Sequence, residues 1–136
     1  MNRYLLDTNV VSEMRKRKPH GGVVAWVRSL HEDQVFLSAV TMGELQAGIE
    51  MTRHQDADKA KEIELWADQL AQAYQILPMD TACFREWGRL MHGKSDQLIE
   101  DGMIAATARI NGLIVATRNE HDFRRFEVRV FNPFKA

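Results

Sequence analysis

Short apolar runs rich in β-branched and aromatic residues alternate along this chain with longer segments of helical periodicity. The runs predicted as strands are residues 3–6, 35–40, 75–78, 113–117 and 128–131. The helical patterns between them cover residues 22–30, 42–51, 56–74, 82–91 and 97–110. This order predicts an α/β fold with a mainly parallel five-stranded sheet covered by helices. With 136 residues and no linker or repeat, we expect a single domain over residues 1–136.

Composition limits the environment and the partners. Charged residues make up 27% of the chain, and neither a bilayer-spanning apolar run nor a cleavage pattern is evident, so we expect a soluble, cytoplasmic protein without a membrane partner. The formal net charge is −1, so contact with nucleic acid needs a local basic patch. The run from Arg15 to Lys18 is one candidate for phosphate contact, with a solvated loop as the alternative. Weaker candidates are Arg85, Arg89, Lys94 and Arg118.

Acidic residues follow or flank three of the predicted strands. Asp7 ends the first strand, Glu44 follows the second, Asp101 lies early in the helix before the fourth, and Asp122 lies in the segment after it. In open parallel sheets, groups placed beyond the carboxyl ends of the strands converge on one site. Each acid also has a structural interpretation: Asp7 and Asp122 as caps, and Asp101 as a charge that the helix dipole favours.

Glu44 and Asp80 raise the question of capping directly. Thr41 precedes Glu44 by three residues, the spacing of a capping box, so Glu44 has either a structural or a catalytic role at this point. Asp80 is predicted to cap the helix that opens at Thr81. Gly48, one turn beyond Glu44, is expected to permit close packing.

The four acids together favour a metal site. The small residues from Gly102 to Ala108 predict a helix that approaches the sheet closely and carries Asp101 inward. Carboxylates about 5 Å apart repel by about 3 kcal/mol per pair at an effective dielectric near 20, so such a cluster needs a cation or must take up protons. Ligands that are all oxygen select hard ions, which predicts Mg²⁺, or Mn²⁺, rather than zinc.

Four segments resemble the motifs of PIN-domain toxins of the VapC and FitB type. They are Leu5-Leu6-Asp7-Thr8-Asn9-Val10-Val11-Ser12-Glu13, Ser38-Ala39-Val40-Thr41-Met42-Gly43-Glu44-Leu45-Gln46-Ala47-Gly48-Ile49, Asp101-Gly102-Met103-Ile104-Ala105-Ala106-Thr107-Ala108 and Val115-Ala116-Thr117-Arg118-Asn119-Glu120-His121-Asp122-Phe123. The resemblance covers nearly the whole chain. It implies a PIN-like α/β/α sandwich and a metal-dependent endoribonuclease that is the toxin of a type II toxin-antitoxin module.

The resemblance also implies particular residues and partners. The implied catalytic, metal-binding residues are Asp7, Glu44, Asp101 and Asp122, and the implied supporting polar residues are Thr8, Asn9, Thr117 and Asn119. The implied partners are an RNA substrate, a cognate antitoxin protein that inhibits the toxin, operator DNA reached only through the antitoxin, and a second copy in a homodimer.

One departure and one alternative stand beside this interpretation. Glu100 directly precedes Asp101 where the family usually has an uncharged residue; we choose Asp101 because it heads the small-residue helix in the family register. The alternative function is a non-catalytic interaction domain with the PIN fold. A haloacid-dehalogenase-like phosphatase is excluded because it needs an Asp two positions after Asp7, where Asn9 stands.

Overall fold

The computed structural model describes residues 1–135. A five-stranded parallel sheet lies at the centre of the fold. The strands are β1 (Tyr4–Leu6), β2 (Val35–Ser38), β3 (Gln75–Leu77), β4 (Ile114–Ala116) and β5 (Val130–Phe131). Their order across the sheet is β3-β2-β1-β4-β5, and every neighbouring pair is parallel. The predicted α/β fold and its five strands are confirmed. The end of the expected domain, Ala136, lies outside the described residues, and the single domain stays a prediction.

Helices connect the strands and cover both faces of the sheet. They are α1 (Thr8–Arg15), α2 (Gly21–Arg28), α3 (Ala39–Gln55), α4 (Ala57–Ala73), α5 (Thr81–Leu90), α6 (Ile99–Asn111) and α7 (Glu120–Arg124). Short 3-10 turns at Glu32–Gln34 and Asp96–Leu98 precede β2 and α6. Within residues 1–135, none of these helices has the length and apolar character needed to cross a bilayer.

Alternation along the strands divides the core into two layers. Leu5, Phe36 and Val115 pack with Ile104 of α6 on one face of the sheet. Their strand neighbours, including Leu6 and Leu37, pack on the other face with residues of α1 and α2, namely Val10, Val11 and Val23. Because successive side chains of a strand point to opposite faces, three-residue strands suffice to join both layers. Both faces of the sheet are therefore packed beneath the carboxyl ends of its strands.

The start of α3 corrects the prediction for Thr41 and Glu44. The strand ends at Ser38 rather than Val40, and the Ser38 hydroxyl caps α3 by accepting a hydrogen bond from the Val40 N–H at 3.0 Å. Thr41 is fully buried inside the first turn, so the proposed capping box of Thr41 and Glu44 is wrong. Ser38 supplies the cap itself, which leaves the Glu44 carboxylate available for other contacts. The predicted Asp80 cap is confirmed, because its side chain accepts from the Cys83 N–H at 2.9 Å.

The two glycines expected to allow close packing behave differently. A Cβ added at Gly102 would lie 2.7 Å from the Met91 sulfur and 3.3 Å from Trp87 Cδ1, so this glycine permits close contact of α6 with α5. The predicted contact of the small-residue helix with the sheet is made instead by Ala105 and Ala108. At Gly48 such a Cβ would meet nothing within 4 Å, and the residue is exposed. The prediction for Gly48 was wrong because that side of α3 faces solvent.

Candidate active site

The carboxyl ends of β1 and β4 define the place where a ligand site is expected. From β1 the chain adds β2 and β3 on one side of the sheet, and β4 and β5 lie on the other side. In parallel sheets the crevice at such a reversal of strand order, beyond the carboxyl ends, is the usual binding site. Asp7 directly follows β1 and Thr117 directly follows β4. These two residues are therefore at the floor of the candidate site.

Asp7 is a buried carboxylate with two hydrogen-bond donors. Its side chain is only 4% exposed, its Oδ1 accepts from the Thr8 N–H at 2.8 Å, and its Oδ2 accepts from the Thr117 hydroxyl at 2.7 Å. Burial raises the pKa of Asp7 to about 6; the two hydrogen bonds oppose this, and the charge of Glu44 adds to it. Asp7 thus caps α1, as its structural interpretation predicted, and still presents an unfavourable buried charge.

Asp101 is the acid on which the charges of the other predicted acids act. It lies in the first turn of α6 and is half-buried, whereas Glu100 is exposed. Burial is the main cause that raises the pKa of Asp101 to about 7, followed by the negative charges of Asp7, Asp122, Glu44 and Glu100. The structure therefore brings the four predicted acids into one electrostatic environment. The greater burial of Asp101 favours it over Glu100 as the inward-facing acid.

The other two acids lie on the outer side of the site. Glu44 is exposed on α3, and its Oε1 accepts from the Thr8 hydroxyl at 2.8 Å. The Thr8 hydroxyl also lies 3.0 Å from the Thr41 hydroxyl, so it joins α1 to α3. Asp122 is half-buried inside α7, where Asn119 holds the N-cap position, so its interpretation as the cap of a segment 123–126 is wrong.

Asn9 and Thr117 fasten α1 to the loop after β4. The Asn9 Oδ1 accepts from the Arg118 N–H at 3.2 Å, and its amide nitrogen lies 3.5 Å from the Thr117 hydroxyl. That hydroxyl also accepts from the Asn119 N–H at 2.9 Å while it donates to Asp7. Asn119 contributes through its backbone, and its residue is exposed. These contacts orient the Thr117 hydroxyl towards Asp7.

The donor set at this edge suits a hard divalent cation. Within residues 1–135, no three Asp, Glu, His or Cys side chains form a complete metal-binding group. The oxygens of Asp7 and Glu44 are engaged instead by the hydroxyls of Thr117 and Thr8. Every acid at the site offers oxygen, the donor that Mg²⁺ and Mn²⁺ prefer, and a cation would offset the charges that raise the pKa of Asp101. The donor chemistry therefore fits such an ion, while the side-chain arrangement within residues 1–135 does not form a closed ligand set.

Sequence reasoning missed a second buried carboxylate on α1. Glu13 is 5% exposed; its Oε2 accepts from the His20 N–H at 2.9 Å, and its Oε1 pairs with Lys16 at 2.9 Å. The Lys16 pair is the largest cause that lowers the pKa of Glu13. Glu13 ended the first motif, but nothing in its spacing indicated burial because α1 itself was not predicted.

Two residues of the basic run at the end of α1 contact other side chains of this chain. Arg15 lies over the Trp66 ring, 6.0 Å from its centroid, and Lys16 is paired with Glu13. All four residues from Arg15 to Lys18 are exposed. Contact with RNA phosphates stays a prediction for this run.

Comparison of the sequence with known proteins finds a matching family and relatives along nearly the whole chain. A model described as the PIN domain matches residues 4–128 of the chain. Toxin FitB of Neisseria gonorrhoeae is 38% identical, with 96% of this chain and 97% of FitB aligned. VapC ribonuclease Y4jK of Sinorhizobium fredii is 34% identical over the same shares of the two chains.

A solved structure of FitAB bound to an IR36 DNA fragment is similar in fold and sequence. It superimposes with a TM-score of 0.84 at 34% identity, covering 96% of this chain and 95% of the solved one. The similarity therefore extends over nearly the whole chain.

Proposed function

The chain belongs to the PIN domain family, and on that premise we propose that it is a metal-dependent endoribonuclease, the toxin of a type II toxin-antitoxin system. We assign this activity to residues 1–136 as a single PIN-like domain. The observation that carries the proposal is that Thr8 joins Asp7 to Glu44 through two hydrogen bonds, while the charges of Asp7, Glu44 and Asp122 reach Asp101 and raise its pKa. The names of the relatives, a toxin and a ribonuclease, support the same activity.

The proposed ion is Mg²⁺, with Mn²⁺ as a substitute, held by the carboxylates of Asp7, Glu44, Asp101 and Asp122. When bound, it would activate a water molecule and offset charge that develops on the scissile phosphate. The protein prepares two of these carboxylates by burial, which keeps them partly protonated near neutral pH in the absence of a cation. A divalent cation therefore replaces protons at the site, and binding strengthens as pH rises.

The surrounding polar residues hold the acids in place. Thr117 donates to Asp7 at 2.7 Å, which fixes the orientation of the carboxylate at the end of β1. Thr8 donates to Glu44 at 2.8 Å, which holds the more exposed side chain towards the site. Asn9 links the loop that follows Thr117 to α1, so the hydroxyl donors keep their positions relative to the acids. Such orientation of ligand groups is what outer-shell hydrogen bonds supply in metal sites.

The direct test is cleavage of RNA by the purified protein. We expect total cellular RNA to be cut in the presence of Mg²⁺ or Mn²⁺ and to stay intact with a chelator. Sequencing the new RNA ends identifies the cut site. Intact RNA with either ion, from protein whose thermal unfolding is cooperative, contradicts the ribonuclease proposal and favours the non-catalytic interaction domain.

Partners are proposed from the relatives and from the charge of the site. The FitAB relative is solved with bound DNA, which supports an antitoxin that links this toxin to operator DNA. An acidic cluster favours an antitoxin that inserts an arginine, because the guanidinium matches carboxylates in charge and geometry. We further propose a homodimer and a cytoplasmic location, where cellular RNA is available.

Co-expression tests the partner proposal. Expressed alone in bacteria, the protein should arrest growth with degraded RNA, and the small open reading frame beside its gene should restore growth and co-purify with it. Asp7→Asn should abolish the arrest without lowering the amount of soluble protein. Growth arrest with intact RNA contradicts the proposal.

A further inference from the structure

Arg118 is a cation placed next to the acidic site. It directly follows Thr117, whose hydroxyl donates to Asp7, and its own N–H donates to Asn9 Oδ1 at 3.2 Å. A polyanion that approaches four carboxylates needs positive charge nearby, since the acids and the phosphates repel each other. The position of Arg118 in the chain therefore makes it a candidate for contact with substrate.

The guanidinium of Arg118 is held by an aromatic ring. It lies 3.8 Å from the centroid of the Phe134 ring, well within the range of a cation–π contact. The Phe134 ring in turn lies against the His20 ring, with 5.4 Å between their centroids. The side chain is thus oriented by residues from two separate parts of the chain.

The C-terminal segment is fastened where it supports Arg118. The Phe134 N–H donates to Asn132 Oδ1 at 2.9 Å, and the Asn132 amide donates to Glu120 Oε2 at 3.0 Å. Lys135 pairs with the same Glu120 carboxylate at 2.8 Å. Because Glu120 opens α7, which carries Asp122, these contacts tie the Phe134 ring to the helix of the fourth acid.

The charge of Arg118 is only weakly matched by protein. Its nearest carboxylate oxygen, Glu13 Oε1, lies 3.6 Å away, too far for a hydrogen bond. The other ion pairs within residues 1–135 have distances of 2.7 to 3.3 Å. Glu13 is already paired with Lys16 at 2.9 Å, and the Arg118 side chain is 53% exposed. The guanidinium is oriented and yet keeps N–H donors free for an anion.

We propose that Arg118 binds an RNA phosphate that flanks the scissile one, and that Phe134 is the positioning residue for its guanidinium. The proposal rests on the proposed ribonuclease function. Glu13 follows Asp7 by six residues of α1, about 9 Å along the helix axis at 1.5 Å per residue. A guanidinium near Glu13 is therefore offset from Asp7 along α1. It suits the phosphate next to the scissile one rather than the scissile phosphate itself.

The test measures binding of a short, fluorophore-labelled single-stranded RNA of mixed sequence to Asp101→Asn protein across a salt series. Adding Arg118→Gln should weaken binding about tenfold, because a charge-assisted contact is lost. The slope of log affinity against log salt should become shallower by about 0.7, the value for one lost phosphate contact on a single strand. The matched control is Arg28→Gln, which removes an exposed arginine at the end of α2 and should change neither quantity.

Two further variants separate positioning from charge. Arg118→Lys should keep the salt slope and lose part of the affinity, which also guards against a folding defect in Arg118→Gln. Phe134→Leu should weaken binding about threefold in the presence of Arg118 and not at all in the Arg118→Gln protein.

The outcomes distinguish this inference from the proposed function. If Arg118→Gln and Arg28→Gln give the same affinity and slope, Arg118 binds no phosphate, whatever the cleavage assay shows. If Arg118→Gln weakens only the complex with the antitoxin, the assignment to RNA is overturned as well. Wild-type protein that binds RNA through Arg118 but never cuts it would contradict the ribonuclease alone.

Discussion

The inner and outer acids of the site are held in different ways. Asp7 is 4% exposed and Asp101 is half-buried, and burial is the largest cause that raises both pKa values. Glu44 is exposed and is held by one hydroxyl donor, Thr8. Burial of the charged inner acids is therefore unfavourable and a cation relieves it, whereas the exposed Glu44 side chain can change its position at little cost in free energy. We therefore expect the inner pair to dominate both activity and stability.

The largest expected effect separates Asp101 from its neighbour. Asp101→Asn should lower RNA cleavage about a thousandfold, because it removes the half-buried charge on which the charges of the other three acids act. Glu100→Gln is the matched control and should largely spare cleavage, because adjacent helix residues point about 100° apart and Glu100 is exposed. Initial rates on one labelled RNA measure both variants. The reverse order of the two effects would move the third acid to Glu100.

The next effect concerns stability without metal. The pKa of Asp7 is about 6 in the folded protein against 3.8 for the ordinary group, so folding is favoured by its proton below about pH 4. That advantage is lost as pH rises through about 6, at a cost of about 3 kcal/mol for a shift of this size. Asp7→Asn should therefore melt higher than wild type at pH 8 with a chelator present.

The difference in melting temperature between Asp7→Asn and wild type should fall to about half of its pH 8 value by pH 5, and it should approach zero only below about pH 4, where Asp7 is protonated in the unfolded chain as well. Thermal unfolding across pH 5 to 8 measures it. A constant difference across this range would mean that Asp7 is not protonated in the metal-free protein, and the distinction between inner and outer acids would lose its physical basis.

A smaller effect is expected for the outer acid. Glu44→Gln should lower cleavage about tenfold, since it removes one exposed charge that an added ion and solvent partly replace. Its melting temperature without metal should stay close to that of wild type. A loss of cleavage as large as that of Asp101→Asn would place Glu44 among the principal ligands. The contrast between the inner acids and Glu44 would then no longer hold.

The smallest effect is expected from losing the hydrogen bond that Thr8 donates to Glu44. Thr8→Val removes the hydroxyl that donates to Glu44 and lies 3.0 Å from the Thr41 hydroxyl. We expect cleavage to fall about threefold, the cost of one hydrogen bond of ordinary strength. The same substitution in Glu44→Gln protein should have less effect, because the two act through one contact. Additive losses would show that Thr8 acts elsewhere.

The four acids were predicted as one site because three of them follow strands and all four fall in recognisable motifs; their role as metal ligands stays a prediction. The alternation of strands and helices likewise predicted the parallel sheet. The helix α1 was not predicted, because it is eight residues long and begins directly after β1 with Asp7 as its cap. Without α1, the spacing gave no reason to bury Glu13 or to bring it near Arg118. Contacts between residues more than a hundred positions apart depend on packing that periodicity does not report.

Two local predictions failed for a different reason. Thr41 and Glu44 have capping-box spacing, but Ser38 lies at the end of the strand and caps the helix first. Gly48 has the composition of a packing site, but its side of α3 faces solvent. Gly102, with the same composition, packs against Met91 and Trp87. Whether a helix glycine permits close packing depends on the residues of the element that packs against it, and the sequence of one helix does not show which residues those are.

The most direct test of the proposed ion site is the change in melting temperature on adding Mn²⁺ or Mg²⁺ at pH 7.5. Wild type and Glu100→Gln should both gain stability, because a cation relieves the repulsion among Asp7, Asp101 and their neighbours. Asp7→Asn and Asp101→Asn should melt higher than wild type with a chelator and show little further gain with metal. Equal gains in Asp7→Asn and wild type would contradict a divalent ion held by the inner acids.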